Sequence, residues 1–107
     1  MSARMPEPLA RYFTAFNSHD IDAMVGCFAD DAVVRDERQE HRGTVAIRRW
    51  IEDTTARYRA TVEVIEVTVD AKTSVAGLVS GTFPGSPVRL RYDFTLAGQE
   101  IARLEIG

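Results

Sequence analysis

Val88-Arg89-Leu90-Arg91-Tyr92-Asp93-Phe94-Thr95-Leu96 alternates without interruption, with the apolar residues on one phase and Arg, Arg, Asp and Thr on the other. Successive strand side chains point to opposite faces, so this run predicts a strand with one face on a core and one in water. That is the pattern of an antiparallel sheet covered on one side. Pro84-Gly85-Ser86-Pro87 just before it predicts a tight turn from a preceding strand, Val75 to Phe83. Ala97-Gly98-Gln99 just after it predicts a turn into a last strand, Ile101 to Ile106. Gly77 and Gly81 within the Val75 strand mark bends or the close approach of another group. Further upstream, Thr61 to Val69 carries Val62 and Val64 on one phase but Ile65, Val67 and Val69 on the other. A change of phase inside one strand predicts a β-bulge and hence a bent sheet.

The first half of the chain has a different period. Leu9, Tyr12, Phe13 and Phe16 recur at i, i+3, i+4 and i+7, the apolar stripe of a helix from Glu7 to about Asn17. Asn17-Ser18-His19-Asp20 supplies turn and N-cap chemistry for a second helix, whose stripe is Ile21, Met24, Val25 and Phe28. After a short strand, Ala32 to Asp36, the polar run Glu37 to Arg42 reads as a loop, and Thr44 is positioned to cap a third helix. The buried side of that helix is Ile47, Trp50, Ile51, Thr54 and Tyr58. Helices first and strands last predict an α+β fold: three N-terminal helices packed on a curved, mostly antiparallel β-sheet, forming a cone with an internal pocket. The whole of residues 1–107 reads as a single domain, with no repeat, linker or low-complexity segment.

Composition excludes several classes of function. Sixteen acids against thirteen bases give a formal net charge of -3, and Arg48-Arg49 is the one adjacent basic pair, so nucleic acid is not an expected partner. No segment is long and apolar enough for a signal peptide or a membrane span, so no membrane partner and a cytoplasmic location are expected. The single cysteine, Cys27, cannot form an internal disulfide and reads as a buried structural thiol. His19 falls in a turn and His41 in the polar loop, where solvated side chains are the default; with Asp30 and Asp31 they show no metal-site spacing. Neither metal nor cofactor is expected.

The candidate chemistry starts at Asp36. It ends the run Ala32-Val33-Val34-Arg35-Asp36 and shares the phase of Ala32 and Val34, so a carboxylate falls in line with apolar residues. If that phase faces inward, Asp36 is a desolvated acid with a raised pKa, suited to moving protons; if outward, it is an ordinary surface acid.

Three stretches carry a family resemblance: Arg11-Tyr12-Phe13-Thr14-Ala15-Phe16-Asn17-Ser18-His19-Asp20-Ile21-Asp22-Ala23-Met24, Phe28-Ala29-Asp30-Asp31-Ala32-Val33-Val34-Arg35-Asp36, and Arg42-Gly43-Thr44-Val45-Ala46-Ile47-Arg48-Arg49-Trp50. Together they resemble the nuclear transport factor 2-like superfamily, and within it the SnoaL-like polyketide cyclases and the ketosteroid isomerases. The resemblance is detailed to about residue 51 and rests beyond that on strand order and turns. It implies a general base at Asp36 and a phenolic oxyanion donor at Tyr12. The isomerases use a protonated aspartate as a second donor, and pKa tuning of that kind is established for them. In this chain Tyr92 occupies the matching position, a departure from the pattern, while Asp93 has the opposite strand phase.

Tyr12 and Tyr92 each fit two roles, a core aromatic or a hydrogen-bond donor to a substrate oxygen. Trp50 likewise fits a packed core or a pocket wall. The expected pocket lining is Phe16, Phe28, Val34, Trp50, Tyr58 and Phe94, with Asp36 at its polar end. Three functions are compatible with this reading: an enzyme moving a proton in, or cyclising, a hydrophobic carbonyl compound; a noncatalytic binder of a small hydrophobic ligand; and a protein-interaction module using the sheet. The resemblance also implies a homodimer formed through the sheet.

Overall fold

The computed structural model describes residues 4–107. Its elements run α1 (Glu7–Asn17), α2 (Ile21–Val25), β1 (Phe28–Asp36), β2 (Gln39–Arg42), α3 (Gly43–Tyr58), β3 (Thr61–Val69), β4 (Thr73–Ser80), β5 (Val88–Ala97) and β6 (Glu100–Ile106). One six-stranded sheet has the order β2-β1-β6-β5-β4-β3. Every pairing is antiparallel except β1 with β6, which is parallel. The fold is therefore α+β as the sequence predicts, but the sheet stays open: β2 and β3 are free edges. Among the described residues no helix is long and apolar enough to cross a membrane.

The alternating run behaves as its phase requires. Tyr92 and Phe94 are buried, while Arg89 and Arg91 are exposed on the outer face. Asp93 also faces outward, accepting hydrogen bonds from Ser74 Oγ at 2.6 Å and Arg91 Nε at 2.9 Å. In β3 the register slips between Val64 and Glu66, with Ile65 pushed out as the extra residue. The bulge brings Val67 back to the inner face, so Val62 and Val67 are both buried against β4.

α1 lies across the inner face with Leu9, Tyr12 and Phe13 buried. Its last residue holds the free edge of the sheet: Asn17 Nδ2 donates to the Val62 carbonyl at 3.0 Å and Oδ1 accepts from Val62 N–H at 2.7 Å. The amide thus does what a neighbouring strand would do at that point of the edge.

Three local expectations are corrected. α2 stops at Val25, and Phe28 opens β1 paired with Ile101 instead of extending the helix stripe. The chain turns at Gly26, and the Ile101 N–H bonds the Cys27 carbonyl at 2.8 Å, drawing the segment into the sheet. Phe28 still reaches the same core, which is why the helical spacing was deceptive. The polar run after Asp36 is a hairpin and not a loop: Glu37 and Arg38 take φ of 53° and 66°, and β2 returns along β1 with Asp36 opposite Gln39. Glu-Arg carries none of the Asn-Gly chemistry that announces such turns, and an edge strand needs no apolar phase. Finally, α3 begins at Gly43 after an extended Arg42 with no side-chain cap, so Thr44 lies inside the first turn and caps nothing.

Gly81 shows the close approach expected of it. A Cβ there would lie 2.6 Å from the backbone oxygen of Tyr58, at the end of α3. The same oxygen accepts from Thr82 N–H at 2.8 Å, so it cannot retreat freely. Gly81→Ala is expected to cost about 1–3 kcal/mol through overpacking. That lowers the thermal midpoint by roughly 4–8 °C per kcal/mol in a domain of this size. Circular dichroism melts check it, and an unchanged midpoint would show that this contact is loose.

Candidate active site

Asp36 closes β1 on the inner face, in phase with Ala32 and Val34, both fully buried. From α3, the Trp50 indole N–H donates to Asp36 Oδ2 at 3.1 Å. On its other side Trp50 stacks on His41 of β2, with ring centroids 5.8 Å apart and planes 27° apart. His41 is therefore half-buried beside the site and not free in solvent. Burial raises the Asp36 pKa; the Trp50 hydrogen bond opposes the shift and the Glu37 charge adds to it. Asp36 is thus half-buried on the inner face, with its pKa raised by burial.

Tyr12 reaches the same place from α1. Its ring is packed edge-on by Phe13, Phe16, Phe28 and Phe94 at centroid distances of 5.3, 6.1, 5.6 and 5.9 Å. Its hydroxyl is buried and finds no hydrogen-bond partner among the described residues. Burial pushes its pKa well up, and negative charge on Tyr92 or Asp36 would push it further. Tyr92, 2% exposed on β5, has its pKa raised by burial and then by Asp36. Burial is thus the largest cause of both phenol shifts, and the Asp36 charge acts on both.

These three residues share one cavity of about 290 Å³ with Phe16, Trp50 and Tyr58. Ile51, Thr54, Val79, Phe83, Val88, Leu90 and Ile106 complete most of the apolar wall. Phe28, Val34 and Phe94, expected to line it, do not. Val34 pairs with Leu104, and Phe94 pairs with Leu104 and Thr73, in the packed half of the fold where the rings around Tyr12 leave no hollow. Only the Val88 to Tyr92 end of β5 faces open space, so shared phase did not mean shared pocket.

Two titratable groups escaped the sequence reading. His19, expected to be solvated, lines the cavity with Nε2 2.8 Å from the Ala60 carbonyl. A carbonyl only accepts, so that nitrogen carries the proton. Glu37 lines the mouth and accepts from Tyr58 O–H at 3.3 Å. Met24 contributes to the wall from α2. Both His19 and Glu37 take a positive φ, at turns that no spacing rule reveals. Cys27 is the buried thiol expected: Sγ donates to the Ala23 carbonyl at 3.3 Å, and burial raises its pKa. Among the described residues no three His, Cys, Asp or Glu side chains gather as a metal site would require.

Comparison with known proteins finds relatives of the same fold. The chain is similar to a provisionally designated polyketide cyclase from Sinorhizobium meliloti, with 46% identity, a TM-score of 0.93 and coverage of 96% of this chain and 95% of that one. A protein of ketosteroid isomerase-like fold from Catenulispora acidiphila, solved with trimethylamine, shares 18% identity at a TM-score of 0.84, over 97% of this chain and 86% of its own. SalBIII, an epoxide hydrolase/cyclase-like enzyme of pyran ring formation in salinomycin, shares 22% at a TM-score of 0.76, over 94% and 86% of the two chains. At these lower identities the likeness is one of fold. No curated protein matches the chain. The SnoaL-like domain model matches residues 9–104, which takes in every side chain of the cavity except Ile106, and the chain belongs to that family, within the nuclear transport factor 2-like superfamily.

Proposed function

We propose that this protein is a small acid-base enzyme of the isomerase or cyclase kind acting on a hydrophobic carbonyl compound. Asp36 is its base, and Tyr12 and Tyr92 are its oxyanion donors. The observation that carries the reading is the unpartnered Tyr12 hydroxyl, fully buried at the wall of the cavity that holds the Asp36 carboxyl group. An unsatisfied buried hydroxyl costs about 1–3 kcal/mol, and Phe would relieve that cost. A phenol kept there is a donor for an oxygen supplied by a ligand. The similarity to the Sinorhizobium meliloti protein supports the same chemistry.

The mechanism follows from these roles. The substrate's apolar body fills the wall formed by Phe16, Trp50, Ile51 and Leu90, placing a carbonyl oxygen between the two phenols. Asp36 takes a proton from the adjacent carbon while the C–H electron pair becomes the enolate π bond. Charge moves to oxygen, where the donors stabilise it; losing one such donor typically costs roughly 2.7–4 kcal/mol of barrier. Return of the proton to another carbon gives isomerisation. Attack of the enolate carbon on a second carbonyl closes a ring, and the new alkoxide takes the proton from Asp36. Trp50 orients the carboxyl group throughout.

Asp36 must be ionised to act, so activity should rise with pH through its raised pKa. Stability runs the other way. The native state binds this proton more tightly than the unfolded chain, so stability falls as pH rises from the ordinary carboxylate range through the raised value. Asp36→Asn should therefore abolish exchange of a ketone α-proton while leaving the melting midpoint at pH 7 unchanged or higher. Deuterium exchange followed by NMR tests the first part. Carboxyl titration of the wild type tests its basis, and an Asp36 value near ~3.9 would sink it.

Tyr12→Phe should lower the exchange rate by about 10²–10³-fold. It should also leave stability unchanged or raise it by up to ~1–3 kcal/mol, because the unsatisfied hydroxyl is gone. A rate unaffected by this substitution would remove Tyr12 from the mechanism.

The working unit proposed is a cytoplasmic homodimer joined through the outer sheet face, where Ala76 and Leu78 lie between the polar residues of β3 and β5. Light scattering at micromolar concentration should give twice the chain mass, and a monomer would remove the dimer.

A further inference from the structure

The cavity is lined with charge of one sign. Asp36 and Glu37 contribute carboxylates, and no Arg or Lys side chain lines it. His19, the remaining basic group, has its protonated nitrogen turned onto the Ala60 carbonyl. Six rings complete the picture: Tyr12, Phe16, Trp50, Tyr58, Phe83 and Tyr92.

The two carboxylates belong to adjacent residues that differ in exposure. Tyr12, Trp50 and Tyr92 are buried around Asp36, whereas Glu37 is exposed and Tyr58 and Phe83 are half-buried. Glu37 thus marks the mouth. There the rings of Tyr58 and Phe83 meet edge to face, with centroids 5.7 Å apart and planes at 86°. Tyr58 O–H donates to Glu37, which fixes the carboxylate beside the rings. The Arg57 guanidinium lies 5.5 Å from the Tyr58 ring centroid but outside the cavity lining, so this ring already attracts a cation on its solvent side.

We propose that the mouth is a cation subsite for a quaternary or protonated amine carried by the substrate at the end remote from its carbonyl. The proposal rests on the carbonyl reading for the deep end. A positive head group gains from the ring faces and from the Glu37 carboxylate together. An anionic head group would meet two carboxylates inside the cavity, while the nearest guanidinium, Arg57, lies outside the lining against Tyr58. The protein therefore takes neutral or cationic carbonyl compounds and rejects carboxylated or phosphorylated ones.

Three ketones of one shape test this: 3-(trimethylammonio)acetophenone, 3-tert-butylacetophenone and 3-acetylbenzoate. Trp50, the single tryptophan of the chain, sits in the cavity, so its fluorescence reports binding directly. The ammonium ketone should bind about tenfold more tightly than its neutral tert-butyl isostere, and the benzoate more weakly than either. Glu37→Gln should remove most of the preference and leave the tert-butyl ketone unchanged. Equal affinity of the ammonium and tert-butyl ketones, or a preference that survives Glu37→Gln, overturns the cation subsite and leaves the carbonyl site standing. If none of the three binds, the carbonyl reading itself falls, and the subsite with it.

Discussion

The aromatic packing around Tyr12 stops one atom short of satisfying it, and the rest of the site depends on that boundary. Four rings close on the Tyr12 ring from α1, β1 and β5, fixing its position as firmly as any core residue. Its hydroxyl lies where the packed half of the fold ends and the cavity begins. Edge-on aromatic contacts of this kind add about 0.5–1.5 kcal/mol each beyond area burial. Such a cluster can hold an unsatisfied hydroxyl in place without distortion. The hydroxyl is then positioned partly by residues that do not line the cavity, Phe28 and Phe94 among them.

Asp36 obeys the same logic with the opposite sign. Burial alone disfavours its charged form, and a carboxyl group with no donor would stay protonated and be a poor base. The indole N–H of Trp50 limits that effect, and His41 stacked behind Trp50 fixes the plane of the indole. One helix and one edge hairpin thus set both the direction of the carboxyl group and the balance between its two forms. That gives β2 a purpose its polar, edge-strand sequence conceals.

The parts of this arrangement that follow from periodicity were legible from residues alone. The phase of Ala32, Val34 and Asp36 located the acid, the stripe of α1 located Tyr12, and the break in phase of β3 located the bulge. Each is a one-dimensional pattern with a single geometric meaning. Phase could not distinguish Tyr92 from Phe94, two residues apart on one face: Phe13 packs on both, but Phe94 is also covered by the Tyr12 ring whereas Tyr92 borders the cavity. Phe28 misled for a related reason, since a strand's first residue can reach the same core as the next turn of a helix. His19 and Glu37 depended on left-handed backbone at residues with no composition cue.

The open sheet decides where such a fold can be hollow. At the β1, β6 and β5 centre, Val34, Leu104 and Phe94 interdigitate with α1 and α3, and no space remains. On the β3 and β4 side two glycines admit close neighbours: the Val62 side chain at Gly77 and backbone at Gly81. At Gly81, just past β4, the approaching group is the Tyr58 backbone at the end of α3, so this glycine lets the helix end that carries Tyr58 close on the sheet beside the cavity. A side chain at Gly81 would therefore displace the end of α3 and reshape the cavity wall without touching Asp36, Tyr12 or Tyr92.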